Sequence, residues 1–148
     1  MNLTWIDKYI DGVIEHTGTN DIFEIYKTLD IEIKRVDKND SILHGNEAIY
    51  IRNYLGLELV FINDSLPFRY EKFILAHELA HALLHIDQAQ AAYNNKLIIK
   101  SKFELQADYF ALKLLDISID KTYYDGCTFE QVAKSLCVGE AILEYEFG

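Results

Sequence analysis

The chain holds 148 residues, half of them hydrophobic, with a formal net charge of −10 and two cysteines. That length supports one domain with a real core, no apolar run reaches the ~20 residues of a membrane span, and so negative a balance argues against a phosphate-binding face, which needs clustered lysine and arginine. No basic region followed by an apolar run opens the chain, so no secretory leader is expected, and Cys127 and Cys137 make no disulfide framework; the expected setting is a reducing cytoplasm.

From Leu3 to His16, Trp5, Ile6, Tyr9, Ile10, Val13 and Ile14 fall at helical spacing, and Gly18 ends the run. Asn20 or Asp21 can cap a second short helix through Ile22, Ile25, Tyr26 and Leu29. Their polar residues do not converge, so both helices read as packing elements. Three strand-like runs follow, Ile31–Val36, Ala48–Arg52 and Leu57–Asn63. Their short connections predict a small three-stranded antiparallel meander with no room for parallel crossovers. An exposed edge of that sheet can pair an extended peptide as an added strand, or the sheet can simply back a helix. His44, in the loop before the second strand, is expected to face solvent.

Asn63, Asp64 and Ser65 supply capping groups, and Pro67 suits the first turn of a long helix. Phe73 to His85 is an apolar helical run that carries His77-Glu78-Leu79-Ala80-His81. At about 100° per residue the two imidazoles lie about 40° apart on one face and one turn apart, aimed at a single point. Zinc takes neutral imidazole nitrogen, and a catalytic zinc site uses three protein ligands and leaves one position for water. Glu78 lies about 60° round from His81, poorly placed as a ligand but able to reach that water, which is the position of a general base. The short pattern also arises by chance in amphipathic helices. Here Phe73, Ala76, Ala80, Leu83 and Leu84 form one apolar stripe and Leu75, Leu79 and Ala82 another, so the helix is expected to lie buried between layers. Two histidines and a glutamate buried without partners would be costly, so they need a task.

Asp87 to Lys100 breaks the pattern, with a turn at Asn94-Asn95. Tyr93 in this loop can donate a hydrogen bond to a reacting carbonyl, and Tyr54 and Tyr70 are equally anonymous candidates. The next helix, Ser101 to Leu115, has Phe103, Ala107, Phe110, Ala111 and Leu114 as its core stripe, with Glu104 and Asp108 one turn apart beside it. Glu104 is the candidate third metal ligand, and Asp108 can hold the free ring N–H of a ligand histidine. Ser101-x-x-Glu104 also reads as a capping box, in which Glu104 only returns a hydrogen bond to the helix start. Asp87 is a weaker rival as ligand, because an unbroken helix carries it away from the metal. His85, two turns beyond His77 and about 80° off it, suits support of a ligand or anchoring of the loop rather than ligation. The metzincin pattern is excluded in practice: its glycine and third histidine would fall at Leu84 and Asp87, and Met1 is the only methionine.

Val60-Phe61-Ile62-Asn63, Pro67, Phe73 and Ala76 to His85 resemble the central signature of the ImmA/IrrE family of metallopeptidases. Glu104-Leu105-Gln106-Ala107-Asp108-Tyr109-Phe110-Ala111 resembles its second signature, Glu-x-x-Ala-Asn/Asp-x-Phe-Ala, and together the two span roughly residues 47 to 115. The resemblance implies an α+β, zincin-like core, with His77, His81 and Glu104 as zinc ligands and Glu78 as catalytic base. It also implies a protein substrate, since many members cleave a helix-turn-helix repressor encoded beside them in a prophage, mobile element or stress locus and so relieve repression. Two departures stand out: Ala80 where the family often has glycine, and Asp116-Ile117 where it has Met-Pro, which puts the exit of the second helix in question.

Thr128 to Tyr145 reads as a helix, a tight turn at Gly139 and a second helix, opened by a Thr128/Gln131 capping box. Its second helix carries Glu140 and Glu144 and no arginine, so a helical hairpin that closes the core or docks the repressor is expected rather than a DNA reader. The organisation is then one metallopeptidase domain over 1–148, with N-terminal helices at 1–30, the sheet at 31–63, the two signature helices at 64–115 and the hairpin at 128–146. The expected activity is a zinc-dependent, site-specific endopeptidase acting on a repressor, with neither direct nucleic-acid binding nor membrane contact. The alternative is a non-proteolytic antirepressor or toxin-like binder with a structural or vestigial metal; intact Glu78 favours the enzyme. Mn²⁺ or Fe²⁺ can occupy similar ligand sets.

Overall fold

A 3₁₀ turn at Thr4–Ile6 leads into α1, Asp7–Thr17. This computed structural model describes residues 2–85, 102–117, 126, 128, 130, 131, 133 and 140–147. Helix α1 stops where Gly18 enters the left-handed region at φ 73° and its N–H closes on the Ile14 carbonyl at 2.7 Å. Asp21 caps α2, Ile22–Thr28, its carboxylate accepting from the N–H groups of Phe23 and Glu24. The inward faces, Ile6, Ile10, Val13, Ile22, Ile25 and Tyr26, are buried, whereas Trp5 and Tyr9 lie partly exposed and edge-to-face on one another.

Strands β1 (Ile31–Val36), β2 (Ala48–Tyr54) and β3 (Leu57–Asn63) form a mixed sheet in the order β1-β3-β2, which corrects the antiparallel meander expected from the sequence. β2 is antiparallel to β3, with Ala48 opposite Ile62, but β1 is parallel to β3, from Ile31 opposite Glu58 to Val36 opposite Asn63. The expectation assumed that strands consecutive in sequence pair. Residues 37–47 instead carry the chain past the end of the sheet to its far edge, and the following hairpin folds β3 back between the other two. No helical crossover is required, because β1 and β2 are joined at one end. The reason β3 takes the centre lies in its side chains: Leu59, Val60 and Ile62 are all buried, and a central strand buries the most surface. Asn63 N–H to Glu47 O at 2.9 Å and Asp64 N–H to Val36 O at 2.8 Å tie that end together. The β2-β3 hairpin turns through Leu55 and Gly56, at φ 52° and 82°, both signs positive as in a type I′ turn.

Helix α3, Phe68–Leu84, begins one residue later than expected: Pro67 stands at the N-cap, and Glu71 N–H reaches its carbonyl at 2.8 Å. Asn63 caps a local turn at Ser65 N–H rather than the helix. Phe73, Leu75, Ala76, Leu79, Ala80 and Ala82 are buried, as apolar stripes on both sides require. Three polar ties fix the helix against its neighbours. Tyr26 Oη–H donates to the Leu75 carbonyl at 2.6 Å, Arg35 grips Glu71 through two hydrogen bonds of 2.7 and 3.2 Å, and Arg52 donates from β2 to the Ala82 carbonyl at 2.9 Å, a cation at the helix's negative end.

Helix α4, residues 102–114, buries Ala107, Phe110, Ala111 and Leu114. Its exit, in question at Asp116-Ile117, is a Schellman turn: Asp116 takes φ 53° and Ile117 N–H closes on the Leu112 carbonyl at 3.0 Å. The Thr128/Gln131 capping box forms reciprocally, with hydrogen bonds of 2.9 and 3.2 Å. Gly139 lies outside the described residues. In α5, Glu140–Phe147, Ile142 and Leu143 are fully buried, so this segment closes the core, and Tyr145 Oη accepts the Leu3 N–H at 3.0 Å. Among the described residues no helix is long and apolar enough to cross a membrane.

Candidate metal centre

The HExxH spacing on α3 puts His77 Nε2 and His81 Nε2 at 3.1 Å from one another, and α4 brings a carboxylate to both. Glu104 Oε2 lies 2.9 Å from His77 Nε2, and Glu104 Oε1 lies 3.1 Å from His81 Nε2. Among the described residues this is the one group of three or more potential metal-ligating side chains, one atom from each within 4.8 Å of the others. A tetrahedral ion at 2.0–2.1 Å from each donor separates the donors by about 3.3 Å. The three atoms therefore need to open by only a few tenths of an ångström to hold an ion of zinc's size, and two imidazoles with a carboxylate are a donor set it accepts. Both Glu104 oxygens face the rings; its capping partner, Ser101, lies outside the described residues, as do Asp87 and Tyr93.

The far side of each ring is held. His77 Nδ1 lies 2.8 Å from Asp108 Oδ1, on the buried face of α4. Burial opposes charge on His77, but the Asp108 and Glu104 carboxylates outweigh it and push the ion-free ring up to about 10. Burial opposes charge on Glu104 as well, but the His77 and His81 rings at its oxygens outweigh it, holding the carboxyl well below the usual carboxylate range. His81 Nδ1 faces His85 Nδ1 at 2.8 Å, and His85 Nε2 faces Gln106 Oε1 at 2.8 Å. His85 is thus buried between a histidine and an amide, and burial pushes it down to about 4 against the resistance of Gln106. No buried side-chain nitrogen or oxygen among the described residues lacks a partner.

Glu78 sits on the same helix beside β2. Burial pushes its carboxyl up, opposed by the His77 and His81 rings and by the backbone N–H of Tyr50. Three contributors were not visible in the sequence: Gln106, the Tyr50 N–H and Arg52, which binds β2 to the end of α3. Each depends on how elements distant in sequence pack, and none sits in a spacing that marks it. Tyr70 Oη–H donates to the Glu47 carboxylate, Tyr54 is exposed near the hairpin tip, and His44 is exposed.

The family model Peptidase_M78, described as the IrrE N-terminal-like domain, matches residues 28–134. Metallopeptidase ImmA of Bacillus subtilis (strain 168) is 30% identical over 142 residues, which cover 93% of this chain and 80% of that protein. No solved structure matches. The chain belongs to the ImmA/IrrE family and is a metallopeptidase.

Proposed function

We propose that this member of the ImmA/IrrE family is a zinc-dependent, site-specific endopeptidase of the cytoplasm that cleaves a helix-turn-helix repressor encoded nearby and so relieves repression of a prophage, mobile element or stress locus. The observation that carries the reading is the meeting of two imidazole nitrogens and one carboxylate from α3 and α4, with a fourth group, Glu78, on the same helix beside an edge strand. His77, His81 and Glu104 would hold the ion, and Asp108 would keep the His77 proton on Nδ1 so that Nε2 is free to bind. A zinc ion bound there supplies a Lewis acid for the scissile carbonyl and for water.

The remaining chemistry belongs to the chain. Glu78 takes the proton of the attacking water and delivers it to the leaving amine, and burial, which raises its carboxyl, favours the protonated form between those two steps. The Tyr50 N–H orients the carboxylate while it does so. β2 is an edge of the sheet, and the groups along its free side can pair an extended substrate segment as an added strand, which would lay the scissile bond beside Glu78. Incubation of the purified protein with zinc and the repressor from the adjacent gene tests the proposal. Two fragments on a gel support it; a stable complex without fragments would return the protein to a non-proteolytic antirepressor.

A further inference from the structure

The two candidate ligand histidines are supported in different ways. His77 has a carboxylate directly on Nδ1, and Asp108, an acceptor only, settles where that ring's proton lies. Among the described residues, none puts a carboxylate behind His81. Its Nδ1 faces another ring nitrogen, His85 Nδ1, at 2.8 Å, and two such nitrogens share one proton that either ring can supply. What decides between them lies one residue further out. Gln106 Oε1 is 2.8 Å from His85 Nε2, and an amide oxygen only accepts, so the proton of the neutral His85 ring belongs on Nε2. His85 Nδ1 is then a bare lone pair. It accepts from His81 Nδ1–H, and the bare nitrogen of His81 becomes Nε2, the atom that points at Glu104 and His77. An amide turned the other way would reverse every link and put a proton on the nitrogen a metal needs. Gln106 is 4% exposed, and the His85 ring lies against Phe103 with centroids 4.1 Å apart, so the relay is held on both sides.

We propose that Gln106 and His85 are positioning residues that fix the tautomer of His81 and thereby present its Nε2 lone pair to the metal. The inference rests on the reading of His81 as a ligand, and its test separates the two. Zinc affinity of the full-length chain is measured by competition with a chromophoric chelator at fixed pH, for the wild type, His81→Ala, His85→Phe and His85→Asn. His85→Phe keeps the ring shape and the Phe103 contact but offers no acceptor, and it should weaken binding by about 10–100-fold. His85→Asn can place an amide oxygen where Nδ1 stood and should restore most of the loss. A role in packing alone gives the opposite order, since phenylalanine fills the space and asparagine leaves part of it empty.

Ring ¹⁵N chemical shifts of the metal-free protein supply a second readout: His85 should carry its proton on Nε2 in the wild type and lose that preference in Gln106→Leu. If Gln106→Leu does not fold, the two His85 variants decide alone. Wild-type affinity in His85→Phe, or no recovery in His85→Asn, overturns the relay while leaving His81 a ligand. Binding that His81→Ala leaves unchanged removes the ligand reading and the relay with it.

Discussion

Away from α4, α3 presents Leu75, Leu79 and Ala76, all fully buried, with the Tyr26 hydroxyl as a polar tie to its backbone. Toward α4 it presents His77, His81 and His85, which meet Glu104, Gln106 and Asp108. The first seam removes carbon from water, at ~1.5–3 kcal/mol for each fully buried large side chain. The second buries ionisable and polar groups, which stabilise a fold weakly once their desolvation is counted. One helix therefore serves stability on one side and chemistry on the other, and substitutions on the two sides should separate fold from function.

The sharpest break is Glu78→Gln. It keeps the shape and the Tyr50 contact but cannot take a proton, so cleavage of the repressor should fall by about 10²–10⁴-fold while zinc content, read by elemental analysis, stays at the wild-type level. A glutamine variant that still cuts would remove Glu78 from the chemistry. The matching change on the other face is Leu75→Ala. A fully buried leucine truncated to alanine should lose ~2–5 kcal/mol in urea unfolding, with the zinc affinity of the folded fraction unchanged. If both variants altered both measurements equally, the two seams would not be separable.

Proton competition distinguishes the seams more finely. In the ion-free protein His77 is pushed up to about 10, so at neutral pH the ring carries a proton that an ion at Nε2 must displace. The zinc association constant should therefore rise about tenfold per pH unit between pH 6 and 8, which is about 1.4 kcal/mol per unit. One proton should appear in buffer per zinc bound. A flat profile would mean that His77 is not the competing group. Leu75 and its neighbours titrate nothing, so unfolding of Leu75→Ala relative to wild type should be insensitive to the same change of pH.

The two faces were unequally legible in the sequence. The spacing on α3 follows from 3.6 residues per turn, so the convergence of His77 with His81 and the burial of Phe73, Ala76, Ala80, Leu75, Leu79 and Ala82 could be read from the chain, while Leu83 and Leu84 are only half-buried. The approach of Glu104 needed a second helix whose placement no periodicity gives, and the paired signatures supplied it. The parallel partnership of β1 with β3 was missed, since local pattern marks strands but not which of them is central. Gln106 was hidden for a related reason. Its partner, His85, is 21 residues away at the end of another helix, and nothing in the local pattern of α4 distinguishes a buried glutamine that orients a ring from one that faces water.

The smallest effect belongs to the β2-β3 hairpin, which follows neither rule. Leu55 is 88% exposed and sits at φ 52°, where a side chain with a Cβ is strained and a leucine gains nothing from burial. Type I′ turns favour Asn-Gly, and Gly56 already supplies the second residue. Leu55→Asn should therefore raise stability by ~0.5–1 kcal/mol, seen as a higher urea midpoint with an unchanged slope. Zinc affinity should not move, because the turn touches neither seam of α3. A loss of stability would show that the leucine is packed in solution, and the hairpin would then belong with the apolar face rather than apart from it.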